Sequence, residues 1–354
     1  MRFDSAESES ALRTSLQQPP DPVGALADPR TIHTLPVLVV HAHTSCNCRC
    51  IMCDIWKTRE GKSFGVRDLE PHIASIKKLG VRWLVFSGGE PLLNPQLPLL
   101  CALLRKENVR LTLLTTGLLL QKCAADVAAS FDDIIISLDG PPEVHDAIRR
   151  VDGAFALMAT GIKAVRHHRD DLPITARTTI QKANHHHLRE TVHAARRIHL
   201  NGISFLAADL TSTAFNRPLT WPVSRQDEVG LSLEEVDALE AEIEALIADT
   251  LCGTQDAFVS ETPDKLRRMA RHFRVHLGLE PAESPVCNAP WVSAVIEVDG
   301  SVRPCFFHPP IGNLQEGTLE SIINGPQANI FRENLVIEND PICRRCVCSL
   351  HYRL

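Results

Sequence analysis

No apolar run in these 354 residues approaches the roughly 20 that a membrane-crossing helix needs. Basic charge is not in excess either. The formal net charge is −6 and the isoelectric point is about 6.2, so the chain carries no global footprint for nucleic acid. The first 30 residues lack the apolar stretch of a secretory signal. They are rich instead in Ser, Glu, Asp, Pro and Ala, the composition of a disordered or loosely docked tail. There is no internal repeat, and no low-complexity tract beyond that tail. The missing signal decides how the twelve cysteines are read. Disulfides are rare in the cytosol, so the cysteines point to metal or cluster ligation in a reducing compartment, here taken as the cytoplasm. Apolar residues make up 44 % and charged residues 23 %, ordinary for a chain with a large core.

From about residue 36 strands and helices alternate. Apolar, β-branched runs predict strands at Leu38–Val40, Trp83–Phe86, Val109–Leu114, Ile134–Ile136, Ile174–Ile180 and Ile203–Ala207. Helical spacing falls between them, at Leu69–Lys78, Leu97–Arg105, Cys123–Ala129, Ala154–His168 and His185–Ile198. Alternating units of this kind build a parallel sheet with right-handed crossovers, here an α/β fold with six strands. Residues 211–230 read as a connecting loop, Leu231–Leu251 and Pro263–His276 as helices, and 282–290 as loop again. Valines around Asp299-Gly300 predict a hairpin. The division expected is a tail over 1–35, a barrel-like unit over 36–220, a helical linker over 221–285 and a small C-terminal unit over 286–354.

Cys46, Cys50 and Cys53 read C-x3-C-x2-C directly after the first strand. Three thiolates can hold three irons of a 4Fe-4S cluster and leave the fourth open to a small molecule, whereas clusters normally take four protein thiolates. A zinc knuckle that adds Cys48 is the competing reading. Ser87-Gly88-Gly89-Glu90-Pro91 ends the second strand, 34 residues after Cys53. Its glycines let backbone approach a ligand closely; the alternative is a tight turn with a capping acid. Thr115-Thr116-Gly117 ends the third strand. Ser137-Leu138-Asp139-Gly140-Pro141 ends the fourth, followed by His145-Asp146-Ala147-Ile148-Arg149.

These segments resemble the radical S-adenosylmethionine (SAM) superfamily, with Met52 where members usually carry an aromatic residue and Thr116 where they carry Asn. The resemblance implies a partial (β/α)6 TIM-like barrel with its chemistry at the C-terminal ends of the strands. It implies a 4Fe-4S cluster on Cys46, Cys50 and Cys53 whose open iron binds SAM. Ser87, Gly88, Gly89, Glu90, Thr116, Ser137, Asp139 and Arg149 become candidates for binding SAM, Ser137 and Arg149 at its carboxylate, which a guanidinium fork suits. Asp139 is also read as a helix cap.

The C-terminal pattern Cys287-x12-Gly300-x4-Cys305, then Cys343-x2-Cys346 and Cys348, resembles the auxiliary-cluster extension called SPASM, or its shorter twitch form. That implies one auxiliary 4Fe-4S cluster on Cys287, Cys305, Cys343 and Cys346, a metal that would also cross-link a small domain. A structural zinc on the same four thiolates is the alternative. Cys101, Cys123 and Cys252 read as small buried apolar groups. The consecutive His185, His186 and His187 cannot converge on one ion and read as a solvated helix start. Arg177, Asp209 and His308 are candidate substrate contacts at the barrel mouth.

The function implied is reductive cleavage of SAM to a 5'-deoxyadenosyl radical that takes hydrogen from a substrate, for oxidation or modification of a small molecule. A peptide-modifying maturase of the ribosomal-peptide or sulfatase type is the second reading, although the 35 residues before the first strand are too few for the winged helix that many peptide maturases carry. A non-catalytic zinc or iron–sulfur scaffold is the reading of another class. The implied partners are a one-electron donor such as flavodoxin or ferredoxin and a small-molecule or peptide substrate, with neither nucleic acid nor membrane.

Overall fold

The computed structural model describes residues 31–58, 60–252 and 257–353, without the side chains of 250–252. The expected tail lies outside the described residues up to residue 30, and so does the Cys252 side chain. Ile32 and Leu35 are buried against the body of the protein, and the Ile32 amide donates to Asn324 Oδ1 at 2.8 Å.

Six parallel strands are β1 (Val37–His43), β2 (Trp83–Gly88), β3 (Arg110–Thr115), β4 (Asp133–Ser137), β5 (Ile174–Ile180) and β6 (Gly202–Ala207). Their spatial order is β6-β5-β4-β3-β2-β1. Helices follow in the crossovers at Ile73–Lys78, Leu97–Arg105, Leu120–Ser130, Ala154–His168 and Leu188–Arg197. The period of two shows in β5. Ile174, Ala176, Thr178 and Ile180 are buried, while Thr175, Arg177 and Thr179 on the opposite face are half-buried.

The sheet does not close, and its two ends are handled differently. At β6, Val259 bridges to Ile203 and the Glu261 carboxylate accepts the Phe205 amide at 2.9 Å, covering the exposed edge. At β1, a seventh parallel strand, β7 (Ser293–Ile296), pairs along Val37–Val40, and β8 (Ser301–Arg303) and β9 (Gly312–Asn313) continue antiparallel. The hairpin expected at Asp299-Gly300 is present, with Gly300 at φ +85° and Val295 opposite Arg303. It extends the main sheet.

Three local expectations differ. Residues 211–230 contain a helix, Val223–Val229. Pro71 breaks the helix expected over 69–78 into Val66–Leu69, a 3-10 turn and Ile73–Lys78. The helix expected from His185 begins at Leu188, because the His185 ring turns back to the Lys182 carbonyl at 2.7 Å and is buried. Among the described residues no helix is long and apolar enough to cross a membrane.

Candidate functional site

The cysteine loop leaves β1 and is held from three sides. Beneath it, the Gly89 amide donates to the His43 carbonyl and the Glu90 amide to the Ser45 carbonyl, each at 2.9 Å. A Cβ on Gly89 would lie 2.1 Å from the Ser45 oxygen, and Gly88 sits at φ +113°. The diglycine is therefore required by the protein's own backbone, whatever ligand it also faces. On the second side, the Arg49 and Ile51 amides donate to the carbonyls of Arg149 and Ile148 at 3.0 Å. The helix Pro142–Arg149 so carries the loop on its C-terminal end.

The third side is the segment 209–225, of which sequence reasoning singled out Asp209 alone, as a substrate contact, and missed Arg217, Trp221 and Arg225. Arg217 pairs with Asp209 at 2.6 Å and donates to the Met52 carbonyl at 3.3 Å. Trp221 Nε1 donates to Asp54 at 2.8 Å, and Arg225 donates to the Ile51 carbonyl. The available signal was two arginines and a tryptophan within a run otherwise typical of a connecting loop.

All three candidate thiols are free, Cys50 is buried, and Cys46 and Cys53 are half-buried. The Cys48 thiol lies against Cys46 and Cys50 and can give its one hydrogen to either. The neighbouring Cys48 donor, with the Arg149 guanidinium 3.4 Å away, holds the Cys50 thiol down to about 6 despite burial. Burial pushes Cys53 up to about 12, with the Cys50 and Cys46 charges adding to it. Asn47 Nδ2 is buried with no partner among the described residues. This is an unmet donor beside the loop that carries the three free thiols, which suits an incoming group rich in acceptors. The donor set fits an iron–sulfur cluster.

Glu90 is fully buried, and four donors reach its oxygens. Leu92 N at 3.1 Å and Thr115 Oγ1 at 2.7 Å reach Oε1; Thr116 N and Oγ1, both at 2.8 Å, reach Oε2. Burial pushes its carboxyl up, and these bonds oppose the shift. The Thr116 hydroxyl has one hydrogen to share between Glu90 and Asn47 Oδ1 at 3.0 Å, so the Glu90 side chain ties the end of β2 to the end of β3 with at most one of about four acceptor positions left. Asp139 is equally buried. It pairs with Arg149 at 2.6 Å and accepts the Thr179 amide at 2.9 Å. The Arg149 guanidinium thus faces Asp139 and Cys50. Ser137 is half-buried at the end of β4. Arg177 donates to Ser204 Oγ at 3.2 Å on the half-buried face of β5. Asp209 is committed to Arg217 and to the Ser212 hydroxyl.

The C-terminal cysteines form a second group. Cys287 and Cys348 bear on Cys305; Cys348, Cys287 and Cys305 on Cys346; and Cys305 and Cys287 on Cys343, which places these thiols near one another. Burial pushes Cys305 up to about 11 and Cys343 and Cys346 higher. The Asn288 amide, beside Cys287, donates to the Leu350 carbonyl at 2.8 Å, and its Nδ2 donates to that of Tyr352 at 2.7 Å. These bonds fold the chain end back onto the start of the unit. His308 is placed here: its Nε2 lies 3.4 Å from Cys343 Sγ and 3.7 Å from Asp340, not at a strand end of the barrel. A link to the barrel runs from His41 to Glu297 at 2.8 Å and on to Arg303 at 2.9 Å.

Residues 42–195 match the radical SAM superfamily, and residues 287–347 match the SPASM iron–sulfur cluster-binding domain. The chain carries a radical SAM domain followed by a SPASM domain. Radical SAM relatives span almost all of it. It is 26 % identical over 350 residues, 90 % of this chain and 83 % of the relative, to the Fe-coproporphyrin III synthase of Methanosarcina barkeri (strain Fusaro). It is 24 % identical over 340 residues, 88 % of this chain and 85 % of the relative, to the cysteine-type anaerobic sulfatase-maturating enzyme of Clostridium novyi (strain NT). Streptococcus suis SuiB bound to S-adenosylmethionine has a similar fold, with a TM-score of 0.62 at 14 % identity over 90 % of this chain and 74 % of that one. The protein is a radical SAM enzyme with a C-terminal SPASM domain, whose cofactors are SAM, the cluster that binds it and auxiliary iron–sulfur.

Proposed function

We propose that Cys46, Cys50 and Cys53 hold the SAM-binding cluster, that Cys287, Cys305, Cys343 and Cys346 hold one auxiliary cluster, and that the enzyme takes hydrogen from a small molecule to oxidise or modify it. When bound, the first cluster supplies the electron that splits SAM into methionine and a 5'-deoxyadenosyl radical. The observation that carries the reading is the triad of free thiols at the end of β1, with the buried, unpartnered Asn47 donor beside it. The Cys48 donor and then the Arg149 guanidinium favour the thiolate form of Cys50. With the Glu90 oxygens largely taken up by protein donors, the backbone carbonyls of the 87–90 turn are the main acceptors left for the SAM ammonium group. Ser137 and the Thr116 hydroxyl line the adjacent strand ends. Arg177 on the half-buried face of β5 is the substrate contact. A ferredoxin or flavodoxin in the cytoplasm supplies the electron.

A small-molecule substrate draws support from the synthase relative that spans nine-tenths of the chain. Peptide modification is the second reading, favoured by the sulfatase-maturating relative of similar coverage. The test is anaerobic reconstitution with iron and sulfide, followed by addition of dithionite and SAM. The expected result is about eight irons per chain and release of 5'-deoxyadenosine. Alanine at Cys46, Cys50 or Cys53 is expected to abolish release and leave about four irons. Bound zinc in place of iron, with no SAM cleavage, would overturn it.

A further inference from the structure

A second cleft, of about 810 Å³ counted out to open solvent, lies between the helix Pro263–His276 and the C-terminal cysteine knuckle. Cys346 is the sole cysteine lining it, and no residue of the Cys46–Cys53 loop takes part. It abuts the auxiliary-cluster cysteines through Cys346 and lies apart from the Cys46–Cys53 loop. Its lining is strongly cationic. Arg268, Arg271, Arg344 and Arg345 face it against a single carboxylate, Glu283.

The four guanidiniums are not equivalent. Arg271 is neutralised by Glu280 at 2.8 Å and Glu283 at 2.6 Å. Arg344 spends two donors on the Ala282 carbonyl, at 2.7 and 3.0 Å, which fixes its direction and leaves its charge uncompensated. Arg268 and Arg345 come from different segments and are exposed, and their guanidinium groups have no hydrogen-bond or ion-pair partner among the described residues. The positive field has a separate trace. His276 is lowered by burial and then by Arg345, with Asp227 opposing. His272 is pushed down to about 4 by burial; Asp209 and the Ala208 carbonyl oppose that shift, and Arg345 adds the smallest part of it. The His272 Nε2 lies 3.2 Å from the Ala208 carbonyl. Uncompensated like charges around one concavity repel, and an anion placed between them removes that repulsion. A guanidinium fork matches the planar oxygens of a carboxylate or phosphate.

We infer that this cleft binds an oxyanion, a carboxylate or phosphate group of a small molecule, between Arg268 and Arg345. The inference does not depend on SAM cleavage and is tested without it. The reconstituted protein is titrated calorimetrically with inorganic phosphate and, separately, with succinate, at low and high salt. At least one is expected to bind, more weakly as salt rises, and the doubly substituted Arg268→Gln/Arg345→Gln protein is expected to bind it about tenfold more weakly or worse. Phosphate alone binding would identify a phosphate-bearing ligand; succinate alone would identify a carboxylate. The control is Arg267→Gln, on the same helix but paired with Glu244 outside the cleft, which is expected to keep wild-type affinity. Thermal unfolding of each variant reports folding. No binding of either probe to the wild type, or equal binding by a folded double variant, would overturn the inference.

Discussion

The Arg217 guanidinium lies 3.6 Å from the centre of the Trp221 ring while its Nη1 pairs with Asp209 at 2.6 Å, with both charged side chains almost wholly buried. The segment after β6 thereby becomes a brace on the cysteine loop, through the Met52 carbonyl and Asp54.

Breaking this buried pair from one side leaves the other charge uncompensated. Arg217→Met is expected to cost about 3–5 kcal/mol, and the double variant Asp209→Asn/Arg217→Met to recover part of the loss. Equilibrium urea unfolding of wild type, both single variants and the double variant measures the coupling. Additive losses would show that the contact contributes nothing as a pair.

Gly89→Ala places a methyl group 2.1 Å from the Ser45 carbonyl oxygen, a backbone atom that cannot swing aside. We expect a cost of at least about 1–3 kcal/mol and loss of the SAM-binding cluster before the auxiliary one. Iron and sulfide analysis after gel filtration, beside a thermal melt, reads both. Full iron content with unchanged stability would contradict the packing.

Glu90→Gln replaces one acceptor oxygen by a donor that faces donors already in place. The expected loss is about 1–3 kcal/mol with only a small rise in the SAM concentration needed for half-maximal cleavage, because the carboxylate is spent on Leu92, Thr115 and Thr116. A large rise in that concentration at unchanged stability would mean that Glu90 contacts SAM directly.

His272 titrates at about 4 in the folded protein, against 6.5 for the free side chain, because burial disfavours its charged form. The unfolded chain therefore binds the extra proton first, and stability falls as pH drops below about 6.5. Between about pH 7.5 and pH 6 this group alone is expected to remove about 1 kcal/mol or less, its ring being only partly shielded from solvent. Urea midpoints at the two pH values, compared between wild type and His272→Gln, isolate the contribution. An identical pH dependence in both would remove His272 as its source.

Much of the architecture was legible along the chain. Leu97–Arg105, Ala154–His168, Ile174–Ile180 and Pro263–His276 stand where their apolar spacing put them, because a 3.6-residue or two-residue period encodes which face is buried. The Cys46–Cys53 loop and the diglycine were legible for a different reason: their spacing is local, so chain geometry alone keeps their residues close. Contacts between distant segments carry no such pattern. That β7 would join β1, that Arg217 and Trp221 would brace the cysteine loop, and that His308 would turn toward Cys343 each depend on how separate elements pack. The same holds for the four protein donors around Glu90, which come from three positions on two strand ends. The sequence by itself determined the repeating strand–helix units and the thiols available to metal, since both follow from residue type and short-range spacing. Only the tertiary structure decided which charges are already satisfied and which, like Arg268 and Arg345, still face an open cleft, because neutralisation depends on neighbours that can lie far away along the chain.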